Sequence, residues 1–302
     1  MAIKCTSMLN PAPLVPMSDG VEFFVTECET VPAPDATPFA AKSEVFRECT
    51  VMVSFAKSDA ERAALRPLRH ALAFGRTSPE VCDGPEWFQK LPKRLSACLE
   101  AAGHGLVAAV VYAGSDDDSD AEIVQAAVDA LHASFGASLA ALVVVSGASH
   151  RFASVRGTSG FVRGARGTSA ETARSMFLCL AMLTAPKTQT GIDVVDLLPV
   201  LGTASTPTVL ADTFWMREGE GHLIPVSDID ANAVRGAKHL VAIPFVDGPW
   251  GRQELSRFSQ AAMAIASGSG GAVIFAGDGA IAPSLVPTCV AATVILCLAS
   301  SE

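Results

Sequence analysis

The sequence is poor in basic residues and lacks any motif typical of a metal or redox site. Lysine and arginine together number 22, against 31 aspartates and glutamates, and the formal net charge is -9 at pH 7. Because no basic stripe offsets this charge, binding to a nucleic-acid backbone is disfavoured. The eight cysteines show neither a Cys-x-x-Cys pair nor a Cys/His metal spacing. We therefore predict buried, reduced thiols and no metal site.

Targeting and membrane signals are also missing. Residues 1–17 contain one lysine and no uninterrupted apolar core, so they are a poor secretion signal. The apolar run 290–298 is too short to span a bilayer and is rich in β-branched residues, which favours a strand. With 302 residues, 50% hydrophobic and 18% charged, the chain has ample core for one large domain or two modest ones. We expect a cytoplasmic protein that does not insert into membranes.

A long apolar helix is predicted to divide the chain. Thr168 followed by Glu171 is a capping-box pattern, which defines the start of this helix. Its interior is apolar nearly all round, as is typical of a helix buried on most sides, and Pro186 ends it. Asp193 and Asp196 then lie beside a second predicted helix start, where the backbone dipole favours negative charge.

The first half alternates predicted strands and helices. The predicted strands are Gly20–Val25, 48–55, 106–113 and 139–145, and the predicted helices are 58–73 (capped by Ser58), 85–102 and 120–135. Short Val-rich runs between glycines are typical of strands buried on both faces, and strand-helix-strand order implies a parallel sheet. The basic stretch 148–167 is predicted to be a loop. The first half is therefore α/β.

The second half contains four more predicted strands and a helix. The strands are 206–214, 240–246, 271–276 and 290–298, and the helix is 251–266. We expect the last of these strands to pair with 271–276.

Several short motifs, taken in order, resemble the FtsZ/tubulin family nearly end to end. GVEFFV at Gly20–Val25 resembles the second strand of FtsZ proteins, and SPEV at 78–81 resembles the third nucleotide loop. GIDVVDL at 191–197 resembles the synergy loop, and GAVIFAG at 271–277 resembles the penultimate strand. The resemblance implies a tubulin/FtsZ-like α/β fold with GTP and Mg²⁺ as cofactors.

The same resemblance implies a domain division. Residues 1–167 would form a parallel-sheet, GTPase-like domain, and 168–190 the central helix with its linker. Residues 191–302 would form an α/β C-terminal domain with a mixed sheet. The chain stops directly after its last predicted strand, so we expect no flexible tail or terminal peptide of the kind that reaches membrane adaptors.

The loops that would hold the nucleotide depart from the family. Where the family has GGGTGTG, residues 114–120 are GSDDDSD, with four carboxylates facing the phosphate position. Each close pair of like charges costs on the order of 4 kcal/mol at an effective dielectric of ~20. The first loop, 7–13, has no glycine, and the second has Glu27-Cys28-Glu29 in place of Asn-Thr-Asp. We therefore expect a nucleotide site that has degenerated and no bound cofactor.

The residues that the resemblance places in this degenerate site are Gly114, Ser115, Asp116 and Glu171. Glu171 lies where relatives read guanine, but its place in the capping box is the stronger explanation. The run 116–118 is a candidate for a divalent cation, although three aspartates in a surface turn are more often simply solvated. The stretch 148–167 also has no room for the strand and helix that carry the ribose-contacting loop in relatives.

Asp193 and Asp196 match the two carboxylates of the synergy loop. In the family this loop acts in trans and positions the attacking water for the nucleotide of the next subunit. Pro199 instead makes Asp196 a natural N-cap of the following helix, in which case its oxygens bind its own backbone. Both interpretations stay open.

These observations favour an FtsZ-like protein that has lost its own nucleotide and that associates with or modulates FtsZ-type filaments, as in cell division. Its partner would be itself or a true FtsZ/tubulin-like protein. One alternative is an active, polymerising GTPase, and another is a scaffold that reuses the fold for an unrelated partner. GTPase activity is implied by resemblance but is expected to be lost.

Overall fold

The structure is a computed structural model that describes the following residues: 20–25, 47–65, 80–84, 86–102, 104–114, 118–145, 152, 154–164, 168–183, 208–218, 223–225, 239–246, 256, 260, 272–275, 279–280 and 291–299. The predicted helix 251–266 and the loop 7–13 lie outside these ranges, apart from single residues.

The first half contains six strands and four helices within the described ranges. They are β1 (Gly20–Val25), β2 (Arg47–Ser54), α1 (Asp59–Leu65), β3 (Glu80–Asp83), α2 (Trp87–Ala102), β4 (His104–Tyr112), α3 (Asp118–Phe135), β5 (Ala140–Val144), β6 (Gly160–Gly164) and α4 (Ser169–Leu183).

The described part of the second half adds six strands. They are β7 (Thr208–Glu218), β8 (Leu223–Pro225), β9 (His239–Val246), β10 (Ala272–Phe275), β11 (Gly279–Ala280) and β12 (Ala291–Ala299).

The strands form a sheet in the order β10-β9-β12-β7-β6-β5-β4-β2-β1-β3. Neighbours from β2 through β4, β5 and β6 to β7 are parallel, which confirms the predicted parallel α/β sheet. β12 pairs antiparallel with β7 and with β9. The expectation that it pairs with β10 is therefore wrong, because β9 lies between them. The division into domains at 167 and 190, and the separate C-terminal domain, stay predictions.

The core of the first half lies on both faces of the parallel strands. All five residues of β5 are buried, as are Val51, Val53 and Val111 on β2 and β4. A sheet covered by helices on both faces needs apolar side chains at successive positions, which explains the continuous Val-rich runs. At the edge of this core, the buried Trp87 packs edge-to-face against Phe55, with ring centroids 4.8 Å apart.

β6 corrects the prediction that 148–167 is a loop without a strand. Its sequence, GFVRG, is short and begins and ends with glycine, so the local signal for a strand is weak. The strand forms because it pairs with β5 and β7. Ser159, just before it, donates its N–H to the Ala141 carbonyl at 2.7 Å and accepts the Ala141 N–H on its Oγ at 3.1 Å.

A side chain on α3 fixes the approach to β6. Gln125 Oε1 accepts the backbone N–H of Arg156 at 2.7 Å, and Gln125 Nε2 donates to the Arg156 carbonyl at 3.3 Å. His132 adds a contact about two turns further along α3, with Nε2 2.9 Å from the Gly157 carbonyl oxygen. The segment entering β6 is thus held to α3 by its backbone.

Replacement of Gln125 should therefore destabilise the chain. We expect Gln125→Ala to lower the free energy of unfolding by about 1–2 kcal/mol, because two backbone hydrogen bonds are lost. Gln89→Ala on the exposed surface of α2 is the matched control and should change it by less than about 0.5 kcal/mol. Equal effects in urea unfolding would show that the Gln125 contacts contribute nothing.

Candidate functional site

The candidate site lies at the carboxyl edge, by which we mean the C-terminal ends of β2, β4, β5 and β6. These strands are parallel, so their ends meet on one side of the sheet. α1 follows β2, α3 follows β4 and α4 follows β6, which brings their first turns to this edge. Open α/β sheets bind ligands at such edges.

Gly114, one of the predicted site residues, lies two positions after β4. Its φ is +83°, and a Cβ at this position would come within 2.9 Å of the Phe55 carbonyl oxygen. It would also lie 3.4 Å from Glu61 Oε2 and 3.6 Å from the Lys57 nitrogen. Glycine is therefore required here by backbone conformation and by the close approach of residues 55–61.

The first turn of α1 is closed by its own glutamate. Glu61 Oε2 accepts the backbone N–H of Lys57 at 2.7 Å and that of Ser58 at 3.2 Å. In return Ser58 Oγ accepts the Glu61 N–H at 3.2 Å, which completes a capping box and confirms Ser58 as the cap. Glu61 was not among the predicted capping residues, although the pattern Ser-x-x-Glu before a helix indicates it.

The first turn of α4 is closed in the same way. Glu171 Oε2 accepts the Thr168 N–H at 2.7 Å, and Thr168 Oγ1 accepts the Glu171 N–H at 3.2 Å. The predicted capping box is thus present. The carboxylate that the resemblance places beside a guanine base lies on the backbone of its own helix, and a role for Glu171 in a nucleotide site stays a prediction.

Tyr112 joins the two helix starts. It is the last residue of β4 and is 1% exposed. Its hydroxyl has the side chains of Glu61 and Ser169 as hydrogen-bond partners. Burial raises the pKa of Tyr112 to about 12; the Ser169 hydrogen bond lowers it, and the Glu61 charge and hydrogen bond raise it further. Tyr112 was not among the predicted site residues, although it is the one tyrosine in the chain.

Other predicted site residues lie outside the described ranges. These are Ser115 and Asp116 of the degenerate loop and Asp193 and Asp196 of the synergy loop. Within the described residues, no group of three or more His, Cys, Asp or Glu side chains is arranged to hold a metal ion. None of the helices described here is both long enough and apolar enough to cross a membrane.

The known proteins that are similar to this chain are found among solved structures. No family model matches the chain, and no curated protein matches it in sequence. It is similar to CetZ from Methanosaeta thermophila strain DSM 6194, with a TM-score of 0.42 and 9% identity over 72% of this chain and 67% of that chain. It is also similar to a mutant FtsZ from M. jannaschii, with a TM-score of 0.40 and 10% identity over 72% of this chain and 70% of that chain.

CetZ2 from Haloferax volcanii, in a GTPγS-bound protofilament, gives a TM-score of 0.37 and 13% identity over 71% of this chain and 72% of that chain. Similarity at this level concerns the fold and gives no residue a role.

The close approach at Gly114 can be tested against a second glycine of the same conformation. Gly84 also has a φ of +83°, but a Cβ at this position would come no closer than 4.0 Å to its nearest neighbour, Lys90 Nζ. We expect Gly114→Ala to lower the free energy of unfolding by about 1–3 kcal/mol more than Gly84→Ala does, because only the former meets a backbone oxygen. If denaturant unfolding shows the same loss of unfolding free energy for both variants, the positive φ alone explains why glycine is needed at Gly114.

The buried tyrosine should make stability sensitive to alkaline pH. The pKa of its phenol is 10.0 when unfolded and about 12 when folded, so the unfolded chain loses this proton first. The stabilisation it provides is complete below pH ~10 and is lost as the pH rises through the folded value, by up to ~3 kcal/mol.

The free energy of unfolding of the unmodified chain should accordingly fall more steeply above pH ~10 than that of Tyr112→Phe. Burial also raises the pKa of the Cys49 thiol to about 12, but this group is common to both proteins and cancels in the difference. Parallel pH profiles for the two proteins would show that the Tyr112 phenol does not cause the alkaline loss of stability.

Proposed function

We propose that this chain is an FtsZ-like protein that binds no nucleotide at its carboxyl edge and that acts by associating with FtsZ-type filaments. The observation that carries the proposal is the self-capping of α1 and α4. A phosphate is bound by backbone N–H groups at glycine-rich turns and helix starts. Here the N–H groups of Lys57, Ser58 and Thr168 already donate to the carboxylates of Glu61 and Glu171.

Negative charge at the carboxyl edge also disfavours the binding of a phosphate. A phosphate brought within about 4 Å of a carboxylate is destabilised by roughly 4 kcal/mol at an effective dielectric of ~20. Glu61 lies 3.4 Å from the Cβ position of Gly114, where the family loop would begin. The following residues, Asp116, Asp117 and Asp118, contribute further negative charge in the sequence. A nucleotide would have to displace one carboxylate and approach several others.

The proposed partner surface is the loop GIDVVDL at 191–197. Its carboxylates, Asp193 and Asp196, match those that act across the contact between FtsZ subunits. A subunit that keeps this loop but has no nucleotide adds to the nucleotide-bearing face of a true FtsZ and offers no such face to the next subunit. Such a protein caps or modulates the filament.

The proposal predicts the absence of one interaction and the presence of another. Titration of fluorescent GTP in Mg²⁺ should show no saturable binding to the chain. Sedimentation of a true FtsZ with GTP should show co-pelleting of the chain and a changed polymer mass. Asp193→Ala with Asp196→Ala should weaken co-pelleting several-fold, whereas Glu100→Ala on the exposed surface of α2 should not.

Two results would overturn the proposal in different ways. Saturable GTP binding that Asp117→Ala weakens would support an active GTPase. Unchanged polymer without co-pelleting, together with self-association of the chain, would support a scaffold for another partner.

A further inference from the structure

The helix α1 packs against the rest of the molecule. Within its described residues, Asp59–Leu65, the side chain of Leu65 is fully buried. A buried side chain at this position means that contacts outside the helix help to hold it in place.

Residues on α4 hold both ends of α1. At the start of α1, the Tyr112 hydroxyl has the side chains of Ser169 and Glu61 as hydrogen-bond partners, and the Glu61 carboxylate caps the helix. At the end of α1, Arg174 Nη1 donates to the Ala64 carbonyl oxygen at 3.1 Å. Ser169 and Arg174 both lie in the first two turns of α4.

The segment held in this way lies over the end of β4. Residues 55–61 approach the Cβ position of Gly114 through the Phe55 carbonyl and the Glu61 carboxylate. The Phe55 N–H also donates to the Tyr112 carbonyl at 2.9 Å, so this segment continues the pairing of β2 with β4. Tyr112 is 1% exposed beneath it.

We propose that α1 with residues 56–58 is a strap over the carboxyl edge, fastened by α4 through two polar contacts. One contact is the chain of hydrogen bonds from Ser169 through Tyr112 to Glu61, and the other joins Arg174 to the Ala64 carbonyl. Release of both contacts opens the strap while the sheet stays folded. This inference does not depend on whether the chain binds nucleotide or associates with filaments.

The strap can be tested on the full chain because Tyr112 is its one tyrosine. Nitration of the phenol by tetranitromethane, followed by mass spectrometry of the peptide that contains it, reports its exposure. The combined variant Ser169→Ala/Arg174→Gln should nitrate about tenfold faster than the unmodified chain. Loss of the Ser169 hydrogen bond by itself raises the pKa of the phenol and slows nitration, so a faster reaction reports opening.

Hydrogen exchange separates local opening from unfolding. Amides of α1 should exchange about tenfold faster in the combined variant, while amides of α2 and β5 keep their rates. The control variant Ser175→Ala/Arg156→Gln changes the same residue types, one on α4 and the other exposed on the segment before β6, and should alter neither readout.

Unchanged nitration and unchanged exchange in α1 would overturn the proposal. Acceleration spread evenly over α1, α2 and β5 would also overturn it, since that result means global unfolding. If the combined variant does not fold, Arg174→Gln is measured singly, and it should accelerate nitration about threefold.

Discussion

The first half of this chain depends on how backbone N–H groups at the carboxyl edge are satisfied. Helix starts leave such groups without partners inside the helix, so side chains or water must accept from them. Here two glutamates supply the acceptors, one for each helix start. Because Glu61 also accepts from Tyr112, the same carboxylate ties the backbone of α1 to the core strand β4. Packing at the edge follows from this arrangement.

The arrangement has a chemical consequence for what the edge can bind. Edges of this kind attract anions because their N–H groups are free and their helix dipoles point outward. When an internal carboxylate takes that place, the dipole is already compensated and the local charge is negative. The sequence of residues 114–120, with four aspartates, adds further negative charge next to this edge.

Local features of the fold could be predicted from the sequence, and features made by distant residues could not. The bounds of β1 and the start of α4 follow from a short run rich in Val and Phe and from a four-residue capping pattern, and both are confirmed. β6 escaped prediction because GFVRG has little strand character until β5 and β7 pair with it. The Tyr112 contact escaped it because Glu61 and Ser169 lie 51 and 57 positions away from Tyr112 in the chain.

The Gln125 side chain forms hydrogen bonds with the Arg156 backbone of the kind that a neighbouring strand would form. A primary amide presents a donor and an acceptor side by side, as a peptide group does, so Gln125 pairs with the Arg156 backbone without a neighbouring strand. Glutamate offers no donor, leucine offers neither group, and asparagine is one methylene shorter. Position 125 is therefore restricted by hydrogen-bond chemistry and reach, and it helps to set the register in which the chain enters β6.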